Sequence, residues 1–574
     1  MSCRVKISKL TVNNYRSVKH LELELSPRIN VFIGANNVGK SNILASMEFL
    51  LGPSFPTANR LERWDFYKGD EELPLGIELR FDDGNCLSFD STWHDYRGNE
   101  KHGLNYNGGY ITDETRSRYV SASIGPDRRI LDNPASSQWS LLGRMLKEFN
   151  ERLNEETIPT PDGEEVSKAT AFKRRMEEIR DQILFSIEDE DGTNLMGELS
   201  RIMQEETTHQ LNCSPNDLTV DLNAYDPWNL YKTLQIFVTE RETGVQMRAS
   251  DMGMGVQASL TIAILRAYSR LKLKNHTPLF IDEPELYLHP QARRKFYRVI
   301  EELADSGTQI FLTTHSTEFV DLGHFDQLFL VRKSAERGTY VRTARPQRFM
   351  DDLQMRLGIQ TDEERLMLEY RNAFENTGDS QKAAEGLFAS KIVLVEGESE
   401  SLILPYSFDK IEYDYDGKGI SIVRCGGKNE LDRFYRLYSE FGIPCFVIFD
   451  GDSQNKDTED EKHTVGANKA ILSLFGCNDD YPDGELHDSY LGFSTLLEDN
   501  LGIGPVGAKT KGLRLFVKYK NEIEGGKASV PDWICKLAKR LDSMPGEADS
   551  VLLEMPAPEP EWAYDDYPFR KRCV

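Results

Sequence analysis

Cys445-Phe446-Val447-Ile448-Phe449-Asp450-Gly451-Asp452 is the stretch from which the rest of the chain is best understood. An unbroken apolar run fits a strand buried on both faces, and this one delivers two carboxylates separated by a glycine. In an extended chain, residues two apart point to the same side, so Asp450 and Asp452 are expected to aim at one point. Two carboxylates that close repel, and one takes up a proton unless a divalent cation lies between them. Upstream, Lys391-Ile392-Val393-Leu394-Val395 has the same strand character and runs into Glu396-Gly397-Glu398-Ser399-Glu400. Glu396 falls at the strand tip, and Glu400 returns to the same side through the first turn of a following helix. Asp-Gly-Asp alone is commonly just a turn. With the earlier acids in this order, Glu396, Glu400, Asp450 and Asp452 become candidate ligands of Mg²⁺.

The pattern EGxxE on one strand and DxD on a later one resembles the Toprim domain of topoisomerases, primases and a family of nucleases. The resemblance implies a metal site that works on phosphodiesters, without naming the reaction.

At 574 residues the chain exceeds what one hydrophobic core sustains, so two or more domains are expected. Its 28% charged and 39% hydrophobic residues fit a globular chain in water, and no apolar run approaches membrane-spanning length. The first residues, Met1 to Ile7, run straight into an amphipathic strand without a signal-peptide core. The eight cysteines (3, 86, 213, 425, 445, 477, 535 and 573) contain no CxxC pair. Both features predict the reducing cytoplasm and argue against a zinc site or a disulfide framework. A net charge of −25 runs against a DNA partner, because phosphate contact needs Lys and Arg. Bound metal and local basic strips override a global sign, and Lys509-Thr-Lys511-Gly-Leu-Arg514-Leu-Phe516-Val-Lys518-Tyr519-Lys520 is such a strip. It reads either as a DNA contact or as a solvated helix face.

In the N-terminal half, Leu21-Glu22-Leu23-Glu24-Leu25 alternates with period two and predicts a half-buried strand. Ile29 to Ile33 is a second strand, followed by Gly34-Ala35-Asn36-Asn37-Val38-Gly39-Lys40-Ser41 and a helical stretch to Leu51. This is GxxxxGKS between a strand and a helix, the Walker A setting for ATP. Gly34 and Gly39 let backbone N–H groups, with Asn36 and Asn37 among them, close around the phosphates at a helix N-terminus. Lys40 is expected to reach the β- and γ-phosphates, and Ser41 to ligate Mg²⁺. Residues 60 to 135 read as the rest of an ATPase lobe. From about 138 to 210, Phe172–Ile187 and Leu195–Glu206 read as amphipathic helices of an insertion, either a dimerisation arm or a cap with no partner. Ser250-Asp-Met-Gly253-Met-Gly255-Val-Gln257 precedes a helix beginning at Ala258. Ile281-Asp282-Glu283-Pro284 ends an apolar run in adjacent acids, the Walker B arrangement: Asp282 for the Mg²⁺ water shell, Glu283 for the attacking water. Gln309-Ile-Phe-Leu-Thr313 then ends in Thr314-His315-Ser316, where His315 is placed to sense the γ-phosphate.

These elements, with Asn14-Tyr15-Arg16-Ser17, resemble ATP-binding-cassette ATPases of the SMC and RecF type. The resemblance implies that two heads sandwich ATP, each Walker A facing the other head's signature at Gly253 and Gly255. Here Ser250 stands three residues before Gly253 instead of adjoining the glycines, a departure from the LSGGQ form that bears on recognition of nucleotide in trans.

An α/β ATPase head of the SMC/RecF-like ABC type over 1–345, a charged helical connector over 346–388 and a Rossmann-like Toprim domain over 389–574 resemble the OLD (overcoming lysogenization defect) nuclease family. That family includes the nuclease subunit of the Gabija antiphage system, which works beside a UvrD-like helicase, and retron-associated nucleases acting with an RNA–DNA partner. The resemblance implies that Glu396, Glu400, Asp450 and Asp452 hold the metal, with Glu498 as a further ligand. It makes Lys527, in Gly525-Gly526-Lys527, the lysine that stabilises charge on the cleaved phosphate, and Gly426-Gly427-Lys428 a glycine turn near the metals. The expected function is an ATP-regulated DNA endonuclease of antiphage defence that uses Mg²⁺ or Mn²⁺ and forms a homodimer. The alternatives are an ATP-switched DNA-binding scaffold with an inactive Toprim domain, and a DNA-repair nuclease. Residues around 453–464 are polar, and Pro556 to Glu561 suggest a surface tail.

Overall fold

Period-two alternation near the N-terminus produces a hairpin: Ile7–Tyr15 pairs antiparallel with Val18–Glu24, with Leu10, Val12, Leu21 and Leu23 turned inward and Glu22 and Glu24 outward. The computed structural model describes residues 5–94, 100–112, 115–116, 118–125, 137, 140–160, 163–184, 186–188, 190–211, 225–240, 243–270, 278–375, 379–503 and 512–546. Among these, the hairpin joins an 11-stranded sheet whose two halves differ in character. The antiparallel half runs Glu100–Tyr106, Cys86–His94, Gly76–Phe81, Ile7–Tyr15, Val18–Glu24, Gly338–Thr343, Leu328–Ser334. The other half continues as Ile29–Ile33, Ile310–Thr314, Leu279–Asp282 and Ala122–Ile124, all parallel. Parallel strands need cover on both faces. Lys40–Leu51 covers one face through Ile43, Met47 and Leu50; Pro290–Asp305 covers the other through Phe296, Val299, Ile300 and Leu303.

Within 138–210 the first helix, Leu141–Glu155, packs Leu141 and Met145 into the head's own core. The hairpin Thr157–Pro159/Glu165–Ser167 follows, then Lys168–Ile179, which passes into a π-turn at Arg180–Leu184, and then Leu195–Leu211. Ile183, Leu195, Leu199 and Ile202 on this pair are exposed. The apolar stripe that the periodicity predicts thus faces away from the head.

The second sheet is parallel throughout, in the order Ile420–Arg424, Lys391–Val395, Cys445–Asp450, Tyr490–Phe493. Cys445–Asp450 is buried along its whole length, as the unbroken apolar run requires. Register sets Val395 beside Ile448 and Asp450 beside Phe493, so Glu396 and Asp450 emerge at neighbouring carboxyl ends, where open α/β sheets bind ligands.

Helices Pro346–Leu357, Glu363–Glu375 and Ser380–Gly386 lie between the sheets, and they form part of one continuous core rather than a free strut. Phe325 of the head meets Phe349 at 5.1 Å between ring centroids, and Phe374 meets Phe434 beyond at 4.8 Å. A buried ionic network pins this join. Asp352 accepts from Arg356 Nε at 2.7 Å and from Arg436 Nε at 2.8 Å, Arg436 also binds Asp432, and Arg356 donates to the Ser473 carbonyl at 2.9 Å.

Of the basic strip, Lys509 and Lys511 lie outside the described residues, as does the stretch Pro556 to Glu561. The remainder forms helix Leu513–Glu524, with Leu515 and Tyr519 buried against the second sheet's core. No helix among the described residues is long and apolar enough to cross a membrane.

Candidate functional site

The first cluster sits at the tips of the head's parallel strands. Gly39 closes the phosphate loop at φ +107°, and a Cβ there would fall 2.3 Å from Thr339 Oγ1 and 2.6 Å from Ser17 Oγ, so only glycine fits. Asn36 and Asn37 are exposed in the loop, Asn37 at φ +63°. Lys40 follows at the helix start; its Nζ donates to the Gly34 carbonyl at 3.1 Å and the Ala35 carbonyl at 2.9 Å, and lies 2.6 Å from His315 Nε2. Nε2 therefore accepts, and burial together with the Lys40 charge lowers the His315 pKa, favouring the neutral ring. Burial also lowers the Lys40 pKa, against the pull of Glu283, Asp282 and Glu285.

Ser41 Oγ donates to Asp282 Oδ1 at 3.0 Å, and Thr313 donates to the same carboxylate oxygen. The predicted Mg²⁺ pair is thus already together. Glu283 sits in the left-handed region at φ +48°, its N–H donating to Thr313 Oγ1 at 3.0 Å and its carboxylate 3.6 Å from His315 Nε2. A non-glycine residue there is a strained backbone element of the kind found at functional sites. Burial and the like charges of Asp282 and Glu285 raise the Glu283 pKa, while Lys40 opposes them, which suits a group that must handle a proton. Sequence reasoning passed over Glu285, which accepts from Thr314 Oγ1 at 2.9 Å and from the His315 N–H at 2.6 Å and so fixes the strand end carrying the histidine. Its only sequence signal was a third acid so close behind the Walker B pair. Gly253 precedes helix Met254–Arg270, and Gln257 Nε2 donates to the Ser250 and Met252 carbonyls at 3.0 and 2.8 Å, folding the signature back on itself. A Cβ on Gly255 would meet the Tyr287 carbonyl at 3.7 Å.

The second cluster lies at the carboxyl ends of the small sheet. Glu396 extends Lys391–Val395, and its Oε2 is shielded from solvent with no hydrogen-bond partner. Burial first, and then the Glu400 charge, push the Glu396 pKa up to about 7, with Lys428 opposing. Glu400 lies in the first turn of helix Glu398–Lys410, where its Oε2 accepts the Gly397 N–H at 3.1 Å. Asp450 Oδ1 accepts the Leu497 N–H at 2.8 Å; burial, with the charges of Glu396, Glu400, Asp452 and Glu498 behind it, raises its pKa to about 9. Glu498 stands in the following 3-10 turn, Leu497–Asn500, and its charge reaches Asp450.

One expectation needs correcting. Asp450 and Asp452 do not converge by strand pleat: the strand ends at Asp450, and Asp452 lies at φ +56°, capping the 3-10 turn Ser453–Asn455. The turn, not the pleat, brings it toward Glu396. Lys527 is exposed beyond the end of helix Leu513–Glu524, and among the described residues no hydrogen bond or ion pair joins its side chain to the acids. The lysine that does reach them is Lys428, whose Nζ lies 3.0 Å from Asp452 Oδ2.

Among the described residues, no three His, Cys, Asp or Glu side chains are already gathered as a closed metal cage. Three of the carboxylates are held by partners of their own instead: a helix cap for Glu400, a backbone N–H for Asp450, an ammonium for Asp452. The chemistry of the set still fits a hard divalent ion. The donors are carboxylate oxygens, they repel one another, and one buried oxygen lacks any partner.

Comparison with known proteins agrees with this division of labour. Residues 387–452 match the overcoming lysogenization defect protein-like TOPRIM domain, a span that includes Glu396, Glu400, Lys428, Asp450 and Asp452 and leaves out Glu498 and Lys527. Residues 5–107 and 115–320 match the AAA ATPase domain. The OLD nuclease of Thermus scotoductus is 26% identical over 495 residues, covering 81% of this chain and 86% of that protein. The Old nuclease of Escherichia phage P2 is 24% identical, covering 78% of this chain and 77% of its own. Endonuclease GajA of Bacillus cereus is 21% identical, covering 83% and 78%. Matched over more than half of its length, the chain belongs to the AAA ATPase domain family, and that domain leads into a segment matching the OLD-like TOPRIM domain, as in the OLD nucleases it resembles.

Proposed function

We propose that this protein is a divalent-metal-dependent DNA endonuclease whose cutting is controlled by ATP, and that it serves antiphage defence. The observation that carries the reading is the convergence of Glu396, Glu400, Asp450, Asp452 and Glu498 at adjacent strand ends, with a partnerless Oε2 on Glu396. Relatives that span most of the chain and carry nuclease names support it. Bound Mg²⁺ or Mn²⁺ supplies Lewis-acid stabilisation and an activated water. The chain's own part is to present these carboxylates from two strand ends and the turns and helix that follow them, and to keep the scissile phosphate close to them.

In the head, Lys40 binds the terminal phosphates, Ser41 and Asp282 serve the Mg²⁺ that accompanies ATP, Glu283 takes the water proton and His315 reads the γ-phosphate. Gly253 and Gly255 of a second copy complete the nucleotide site, so a homodimer is part of the reading, with the exposed helix pair as its arm. The route from head to nuclease runs from His315 along the chain to Asp321 and His324. His324 Nδ1 lies 2.7 Å from Asp321 Oδ2, and its Nε2 lies 3.0 Å from Arg371 on helix Glu363–Glu375. From that helix Glu369 meets Arg433 at 3.3 Å, on the helix that follows Lys428. DNA and a second copy are the partners this reading requires. A helicase of UvrD type or a retron RNA–DNA hybrid is not part of it.

The test is supercoiled plasmid with purified protein, Mg²⁺ or Mn²⁺, and each nucleotide state. Nicked or linear product is expected, with Asp450→Ala slowing its appearance by roughly 100-fold or more. Plasmid left intact in every state overturns the reading. A second reading, an ATP-switched DNA-binding scaffold, draws on the separately held carboxylates and on the lysine among them. It expects Asp450→Ala to keep full biological effect in a phage challenge, where the nuclease expects that effect to vanish.

A further inference from the structure

Gly426 (φ +86°) and Gly427 (φ +145°) turn the chain beyond the strand Ile420–Arg424, so that Lys428 opens the 3-10 turn leading into helix Leu431–Glu440. A Cβ on Gly427 would meet nothing within 4 Å. The glycine is needed for its backbone angle, not for room. Lys428 is shut in, with 9% of its side chain exposed, Nζ at 3.0 Å from Asp452 Oδ2 and at 5.9 Å from the centre of the Phe449 ring. Its charge also reaches Glu396. The other Asp452 oxygen accepts from Gln454 Nε2 at 2.9 Å. Burying an ammonium costs hydration and side-chain freedom, and a long flexible lysine is not confined this way without a strong partner. The helix behind it cannot easily give way, because Arg436 and Asp432 lock it to Asp352.

We propose that Lys428 is the resident cation of the acid cluster: it holds Asp452 in the metal-free site, is released when Asp452 ligates a divalent ion, and then turns its ammonium to the phosphate being cut. The inference rests on the nuclease reading and assigns to Lys428 the charge-stabilising part that the family likeness gave to Lys527. Its two faces are separable, because an ammonium that shares Asp452 competes with the metal, whereas one that meets the phosphate helps cleavage. Removing it is expected to tighten metal binding and slow cutting, a pair of effects that simple structural damage does not produce.

The experiment uses the full chain, with Mn²⁺ binding followed by calorimetry and plasmid cleavage measured in parallel. Lys428→Met is expected to bind Mn²⁺ roughly 3- to 10-fold more tightly, by loss of a competing charge, and to cut roughly 100-fold more slowly. Lys428→Gln, one atom shorter but still a hydrogen-bond donor without charge, is expected to move both quantities in the same directions and stands in should the methionine variant fail to fold. Mn²⁺ affinity unchanged or weakened in a folded Lys428 variant overturns the inference, as does wild-type cutting by such a variant. If the wild type itself cuts no DNA, the nuclease reading falls, and the Mn²⁺ titrations alone decide whether Lys428 and the metal share Asp452.

Discussion

Glu283 combines several pressures in one residue: a left-handed backbone, two neighbouring acids and a histidine 3.6 Å away. The strain is tolerated because Thr313 Oγ1 accepts its N–H and the Walker B strand is held on both edges by parallel neighbours. Replacing the carboxylate by an amide keeps the shape and removes the proton acceptor. Glu283→Gln is expected to lower ATP turnover by roughly 100-fold or more, while nucleotide affinity stays within about 3-fold. Phosphate release and fluorescent-nucleotide titration on the same preparation separate the two. Lost affinity would mean that Glu283 builds the pocket rather than serving the chemistry. The positions of Lys40 and Ser41 were legible because the GxxxxGKS spacing is local, and that of Asp282 because it ends an apolar strand. Lys428 was harder to read, since its place depends on two glycine angles and on a strand crossing that no short motif encodes.

At the scale of elements, the helix pair Lys168–Ile179 and Leu195–Leu211 is the least supported by the rest of the fold. Ile183 is 62% exposed, and Leu195 and Leu199, one helical turn apart, are 46% and 44% exposed. An apolar stripe of this kind on a helix pair is suited to meeting its own copy. Ile183→Glu combined with Leu199→Glu is expected to convert a dimer to a monomer in light scattering, with the thermal midpoint of the head little changed. An unaltered mass would make the pair a cap without a partner. The strands that carry the motifs, Ile29–Ile33, Leu279–Asp282, Ile310–Thr314, Lys391–Val395 and Cys445–Asp450, could be read from unbroken apolar runs, whereas the order of strands within each sheet could not, because pairing is set by contacts distant in the chain. The first helix of the 138–210 segment could not be placed that way: its amphipathic pattern is the same whether it faces a partner or the head's core, and Leu141 and Met145 choose the core.

For the molecule as a whole, the decisive feature is the join. Asp352, Arg356, Asp432 and Arg436 are all at most 2% exposed. Such a group tolerates loss of a member poorly, because the remaining charges stay buried without their counter-ion. Arg436→Met leaves Asp352 and Asp432 short of a cation and is expected to cost about 3–5 kcal/mol in chemical denaturation. Intrinsic fluorescence and nucleotide release should register that loss at the same denaturant concentration. Separate midpoints would show that the halves melt apart. Because apolar packing runs without a break from Ile310 through Phe349 and Tyr370 to Phe434 and Val447, neither half has a finished surface at the seam. Recombination cannot trade the TOPRIM half onto another ATPase head as a ready-made cassette; a new pairing must inherit the intervening helices and the side chains that receive them.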